Sequence, residues 1–266
     1  MSALGRTGQT SWALFIGALV GLWSAPVQAE SCLLSPYHVG LTFPVSKVEA
    51  RWTCPLQAII DSSTTANKIG PMITSLSEPV YRYLLDRPPM AAALINRLDL
   101  GLYKAEERGT HRFWGDDGEG TSGIVELVYQ DRTNRIYYLV GSHESTFLQI
   151  TGKAAVFVRM NPVKDAQGED AVETTLVAYT KLDSRMLAGL VLLIRPLVGS
   201  TVAQRLTQGV HTVNRLGQEM RQRPGRVLFE ATDLPALPDD QVAFLRQALQ
   251  GPSYSGSSSR SRSIKP

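Results

Sequence analysis

Between Gly101 and Thr180 apolar and polar positions alternate with a period of two, and Gly, Asn and Asp punctuate the runs. "LYKAEERGTHRFWG", "GIVELVYQD", "NRIYYLVGSH", "TFLQITG", "KAAVFVRMNP" and "VETTLVAYTKL" each read as a half-buried strand. "DRTN" at 131–134 reads as a hairpin turn, and "NPVKDAQGED" as a polar loop. About six consecutive strands with short connections predict an antiparallel meander.

On either side of this block the period lengthens. Over 65–98 the positions Ile69, Ile73, Leu76, Val80 and Leu84 recur at threes and fours, and "PPMAAALINRL" restarts after a proline pair. The spacing predicts two helices broken at Pro88-Pro89, because proline cannot continue the helix before it. After the strands, Val198, Val202, Leu206, Val210, Val213, Leu216 and Met220 make one apolar stripe, while Gln204, Arg205, Gln208, Arg215, Gln218 and Arg221 take other faces. That predicts a helix of about 25 residues with Pro196 in its first turn and Pro224-Gly225 at its end. "PDDQVAFLRQALQ" reads as one short further helix.

Residues 30–62 carry Pro36, Pro44 and Pro55 and read as an irregular lead-in with a strand at "VEARWTC". The sequence thus divides into a leader (1–29), this lead-in (30–62), a main domain (63–225), an extension with a helix (226–250) and a Ser/Arg-rich disordered tail (251–266). The leader has the layout of a secretory signal peptide: a basic residue at Arg6, an apolar run from Trp12 to Trp23, and small residues Val27 and Ala29 suited to cleavage after Ala29. Its apolar run falls short of the ~20 residues of a bilayer-spanning helix. Export makes Cys32 and Cys54 candidates for a disulfide, which by closing a loop of about 20 residues stabilises by roughly 3 kcal/mol. A two-ligand metal site or a catalytic thiol are the alternatives, and neither has supporting neighbours.

Composition adds little: 266 residues, 43% apolar and 19% charged, suit one main globular domain, and a net charge of +3 gives no reason to invoke nucleic acid. The histidines His38, His111, His143 and His211 lack the close spacing of a zinc motif, and neither Walker loop nor G-x-S-x-G occurs in strand-to-helix context. No metal or cofactor is expected. "GDDGEGTSG" lacks the ligand spacing of a calcium loop and reads as an acidic hairpin rimming an opening. His143 beside Glu144 is a candidate proton-transfer pair against the reading of a surface histidine. The aromatics Phe113, Trp114, Tyr129, Tyr137, Tyr138, Phe147 and Phe157 are core or cavity wall.

Helices, a curved antiparallel sheet of six or seven strands, then one long helix is an α+β element order that resembles the helix-grip fold of the START-like (SRPBCC) superfamily. The resemblance covers about residues 48–223 and rests on "LDLGLYKAEERGTHRFW", "GIVELVYQDRTNRIYYLVG" and the segment from "TTLVAYTKL" to "NRLGQEM". It implies a sheet wrapped round the long helix with an apolar cavity between them, holding a lipid, sterol, quinone or polyketide-like guest. The implied wall comprises Trp114, Leu127, Tyr129, Tyr137, Leu139, Val156, Val158, Leu190, Val198, Val202, Leu206, Val210 and Val213. The leader is a departure from many cytoplasmic members of that superfamily, and it places such a carrier outside the inner membrane, in the periplasm, where transient membrane contact is expected. The alternatives are an enzyme of the same fold using His111, His143 or Tyr137, and an envelope protein binding an unknown partner. The run at 186–199 becomes the link near the cavity mouth, with Leu187, Leu190, Leu193 and Leu197 as its gate.

Overall fold

The computed structural model describes residues 32–145, 148–183 and 191–250, and the side chains of 145, 148 and 191–200 are outside that description. The leader, the gate run up to Leu190, Phe147, the side chains of Leu193, Leu197 and Val198, and the tail therefore lie outside the described residues.

The period-two block forms six strands, β4 (Lys104–Gly109), β5 (Arg112–Asp116), β6 (Thr121–Gln130), β7 (Asn134–Ser145), β8 (Leu148–Lys164) and β9 (Asp170–Leu182), but not run for run: "LYKAEERGTHRFWG" is the hairpin β4–β5, while "TFLQITG" and "KAAVFVRMNP" join in β8, which extends to Lys164 inside the predicted polar loop. Each pairs antiparallel with the next, as a meander requires. A seventh strand, β3 (Thr65–Thr74), adds to the far side of β9, giving the order β3-β9-β8-β7-β6-β5-β4.

β3 corrects the helix predicted from residue 65. A spacing of four between Ile69 and Ile73 fits a strand as well as a helix, since four is also an even number. Gly70-Pro71 removes a helix donor, and the register of β3 against β9 shifts between Ile69 and Met72 to absorb the proline. Ile73 is 51% exposed, so it was never part of a core stripe. The two helices that follow are as the sequence predicts, α2 (Glu78–Asp86) and α3 (Pro88–Arg97), split where the prolines fall.

The strand expected at "VEARWTC" gives way to α1 (Ala50–Asp61), which tolerates Pro55 in its middle and buries Leu56 and Ile59 three positions apart. The long helix α4 (Val191–Gln222) starts before Pro196, and α5 (Pro224–Thr232) restarts at the proline expected only to end it. α6 (Asp239–Gln250) is the short helix predicted at the C-terminal end.

Two cores cover the two faces of the sheet. On the inner face Val156, Val158, Met160, Val172 and Ala178 pack with α2, α3, α5, α6 and the end of α4 through Leu216 and Met220. On the outer face Ile136, Ala155, Phe157 and Val177 meet the lead-in residues Phe43, Val45, Val48, Leu56 and Ile59. β8 is therefore buried on both sides from Ala155 to Val158. Cys32 and Cys54 form a disulfide that holds the lead-in to α1.

His38, on the two-residue strand β1 (Tyr37–His38) that pairs antiparallel with β2 (Leu41–Thr42), closes the outer core. It is 1% exposed, stacks on Phe157 at 4.1 Å, and places Nδ1 3.2 Å from the Tyr179 hydroxyl while Nε2 has no partner. Burial, opposed only in part by the backbone at Ser35, pushes its pKa below the ordinary 6.5. The unfolded chain thus takes up the proton first as pH falls, and stability drains from about pH 6.5 down to the folded value, then levels. Urea titrations should show a midpoint falling between pH 7 and 5 more steeply in the wild type than in His38→Phe. Equal slopes would remove His38 as the cause.

Candidate functional site

A cavity of about 670 Å³ lies between the inner face of β4 to β7 and the helices α2, α3 and α4. Its floor follows from register. Gly115 on β5 pairs with Gly123 on β6, Gly123 with Gly141 on β7, and Gly141 with Gly152 on β8, with Ala105 on β4 opposite Gly115. At the ~4.8 Å spacing of neighbouring strands, Ala105 to Gly141 makes a strip about 14 Å long with a single methyl group on it. All four of these residues line the cavity.

Three of the glycines are needed for the sheet itself. A Cβ at Gly123 would sit 2.5 Å from the Val140 carbonyl oxygen, one at Gly141 2.6 Å from that of Ser122, and one at Gly152 2.8 Å from that of Lys181. Here neighbouring strands approach more closely than any side chain allows, the signature of a bent sheet. Gly115 is different: a Cβ there meets only the Lys104 carbonyl oxygen, at 3.9 Å. Its missing side chain leaves open floor.

The walls beside this strip are apolar. Phe113, Val125 and Leu139 are register partners in one row, and Leu127 and Tyr137 in the next. α3 contributes Ala91, Ala92 and Ile95, and α4 contributes Gly209, Thr212 and Val213. Small residues on both helices leave the volume between helix and sheet unfilled.

Polar groups stand at two places. At the β5–β6 connection the Asp117 carboxylate accepts from the backbone N–H of Glu119 at 2.8 Å and of Thr121 at 2.9 Å, as in the acidic hairpin the sequence predicts. Glu119 pairs with Arg205 and accepts from Gln208 Nε2 at 2.8 Å, tying the hairpin to α4. At the other place Asp86 ends α2 and lies with Nη2 of Arg135 2.7 Å from its Oδ1, beside Tyr137. Arg135 is completely buried.

Of the expected wall, Trp114, Leu127, Tyr137, Leu139 and Val213 are at the cavity. Strand alternation puts Phe113 on the inner face and its neighbour Trp114 in the outer row with Ile124 and Val140, so the ring pointing between sheet and helices is that of Phe113. Tyr129 is not on the wall. A bulge between Leu127 and Tyr129 puts Tyr129 opposite Ile136, turning it to the outer core, where its hydroxyl donates to Asp131 at 3.0 Å. Val156 and Val158 face inward but are packed solid, and Leu206 lies against the same core. Val202 and Val210 are half-buried on α4 away from the wall.

His111 is at the rim, on the β4–β5 turn with φ of 59°. His143 and Glu144 do not pair: consecutive strand residues face opposite ways, His143 Nδ1 meets Thr121 Oγ1 at 3.0 Å, and Glu144 accepts from Gln149 at 2.7 Å. Among the described residues no group of three metal-ligating side chains converges, and no helix is long and apolar enough to cross a membrane. The sequence reading missed the glycine floor, the small α3 face and the Asp86–Arg135 pair. Glycines inside alternating runs were the available signal for the first.

No family model and no curated protein matches the chain. Among solved structures, the crystal structure of a conserved protein from Geobacillus kaustophilus superposes with a TM-score of 0.42 at 12% identity, covering 58% of this chain and 94% of that one. The functional reading rests on the cavity.

Proposed function

We propose that this protein binds and carries an apolar small molecule, a lipid, sterol, quinone or polyketide-like guest, in the cavity between sheet and long helix. In this reading β3 to β9 and α4 form a helix-grip arrangement of the START-like kind. The observation that carries it is the open glycine floor facing an apolar wall. Nothing in the sheet requires Gly115 to lack a side chain, whereas a flat guest lying on the strip does.

The magnitude is adequate. A guest that buries about 300 Å² of its apolar surface gains roughly 7 kcal/mol at 25 cal/mol per Å², against which the cost of immobilisation is set. The volume also falls within the range of small-molecule sites. The leader at 1–29 and the disulfide fit export to an oxidising compartment, where a carrier moves apolar cargo through water.

Gly115→Leu is expected to fill the floor and to weaken uptake of the neutral probe N-phenyl-1-naphthylamine at least tenfold with little change in melting temperature. Gly123→Ala, in contrast, should unfold the protein more readily, because its methyl group meets backbone. Fluorescence titration and thermal melts check both. Unchanged probe uptake by a folded Gly115→Leu protein, or a wild type that takes up no probe and yields no guest on organic extraction, would reject the carrier reading.

A further inference from the structure

Arg135 and Tyr137 are two apart on β7 and share its inner face, in line with Leu139 and Gly141. Arg135 is fully buried, and none of its three guanidinium nitrogens has a hydrogen-bond acceptor in line. Nη2 is close to Asp86 Oδ1, at 2.7 Å, so the charge is neutralised without the fork geometry that would satisfy its donors. The guanidinium also lies against the Tyr137 side chain. A phenol oxygen beside a cation turns its lone pairs toward the charge and its O–H away from it.

Tyr137 is half-buried and lines the cavity, and no side chain among the described residues accepts its hydroxyl proton. A guest in the cavity is the acceptor that remains. Burial pushes the Tyr137 pKa up, which keeps the proton in place.

We propose that Tyr137 is the specificity-determining donor of the cavity and that its guest is a neutral molecule bearing an acceptor oxygen, such as a ketone, ester or quinone carbonyl, at one end of an apolar body. Arg135 is a positioning residue, aligning and polarising the Tyr137 hydroxyl. Asp86 lines the same end and already neutralises Arg135, so no net positive charge is left to offset the burial of a carboxylate. From Tyr137 to Gly141 is about 13 Å along the strand, so a guest held at Tyr137 lays its apolar body over the glycine strip. This inference rests on the carrier reading and names the chemistry that site selects.

The test is displacement of N-phenyl-1-naphthylamine from the full-length protein by 2-decanone, decane and decanoate. The ketone should displace the probe at roughly one-fifth the concentration that decane requires, the ratio that one neutral hydrogen bond supplies, with decanoate the weakest. Tyr137→Phe keeps the ring and removes the donor, so in that variant ketone and hydrocarbon should displace the probe at equal concentrations. Ketone and decane equal in the wild type, a ketone preference that survives in Tyr137→Phe, or decanoate binding as well as the ketone would each overturn the inference and leave the carrier reading standing. A wild type that takes up no probe and yields no guest on organic extraction would remove both. The wild-type comparison decides the matter even if Tyr137→Phe fails to fold.

Discussion

Asp86→Ala is expected to lower folding stability by about 3 kcal/mol, read as a reduced urea midpoint with an unchanged slope. The reason lies in the partner. Arg135 cannot shed its proton and is completely buried, so removing Asp86 leaves a cation in the protein interior with no counter-charge. The effect sits at the low end for a broken buried pair because Asp86 is 40% exposed. Arg135→Met should behave differently. It removes the charge that needed a partner and keeps the packing volume, so its cost should stay within about 1 kcal/mol, or it should stabilise. Two variants of equal cost would mean that the pair acts through packing rather than charge.

Replacing Cys32 and Cys54 together with Ser is expected to cost about 3 kcal/mol, since the bridge joins residues 22 apart and constrains that loop in the unfolded chain. The loss should appear first in the outer core. The lead-in places Phe43, Val45 and Val48 on the sheet, and α1 adds Leu56 and Ile59, so loosening the tie between them frees the layer over Phe157 and Val177. Trp52, whose ring is 5.1 Å from that of Tyr138, reports on this layer by fluorescence once the other tryptophans are replaced by Phe. Thermal unfolding with and without a reductant, followed at Trp52, should shift to lower temperature for the reduced wild type and for the double variant alike. A double variant within about 1 kcal/mol of the wild type would show that apolar burial alone holds the lead-in.

The meander was legible because its signal is local: side chains of a strand alternate whatever the strand pairs with, and turn residues mark the ends. The split at Pro88-Pro89 was legible for the same kind of reason, a backbone donor missing at a fixed place. β3 was not, because two isoleucines four apart satisfy both periods and the choice depends on whether β9 offers an edge. α1 was misread because Pro55 argues against a helix, and the burial of Leu56 and Ile59 against the sheet outweighs one lost backbone hydrogen bond.

The site divides in the same way. The sequence by itself determined the alternation, the apolar stripe of α4, the cysteine pair and the acidic hairpin, all properties of residues near one another in the chain. The tertiary structure decided which positions face open space. Whether Gly115, Gly123 and Gly141 make a floor depends on register between strands, which aligns residues 8 and 18 positions apart into one row. One bulge moved Tyr129 to the opposite face from Leu127, a change that alternation read along a single strand cannot contain. Arg135 looks like a surface charge in an alternating run, and only the packing of α2 over β7 buries it and makes Asp86 its counter-charge. Local periodicity fixes what a segment is; the approach of distant segments fixes what its side chains meet.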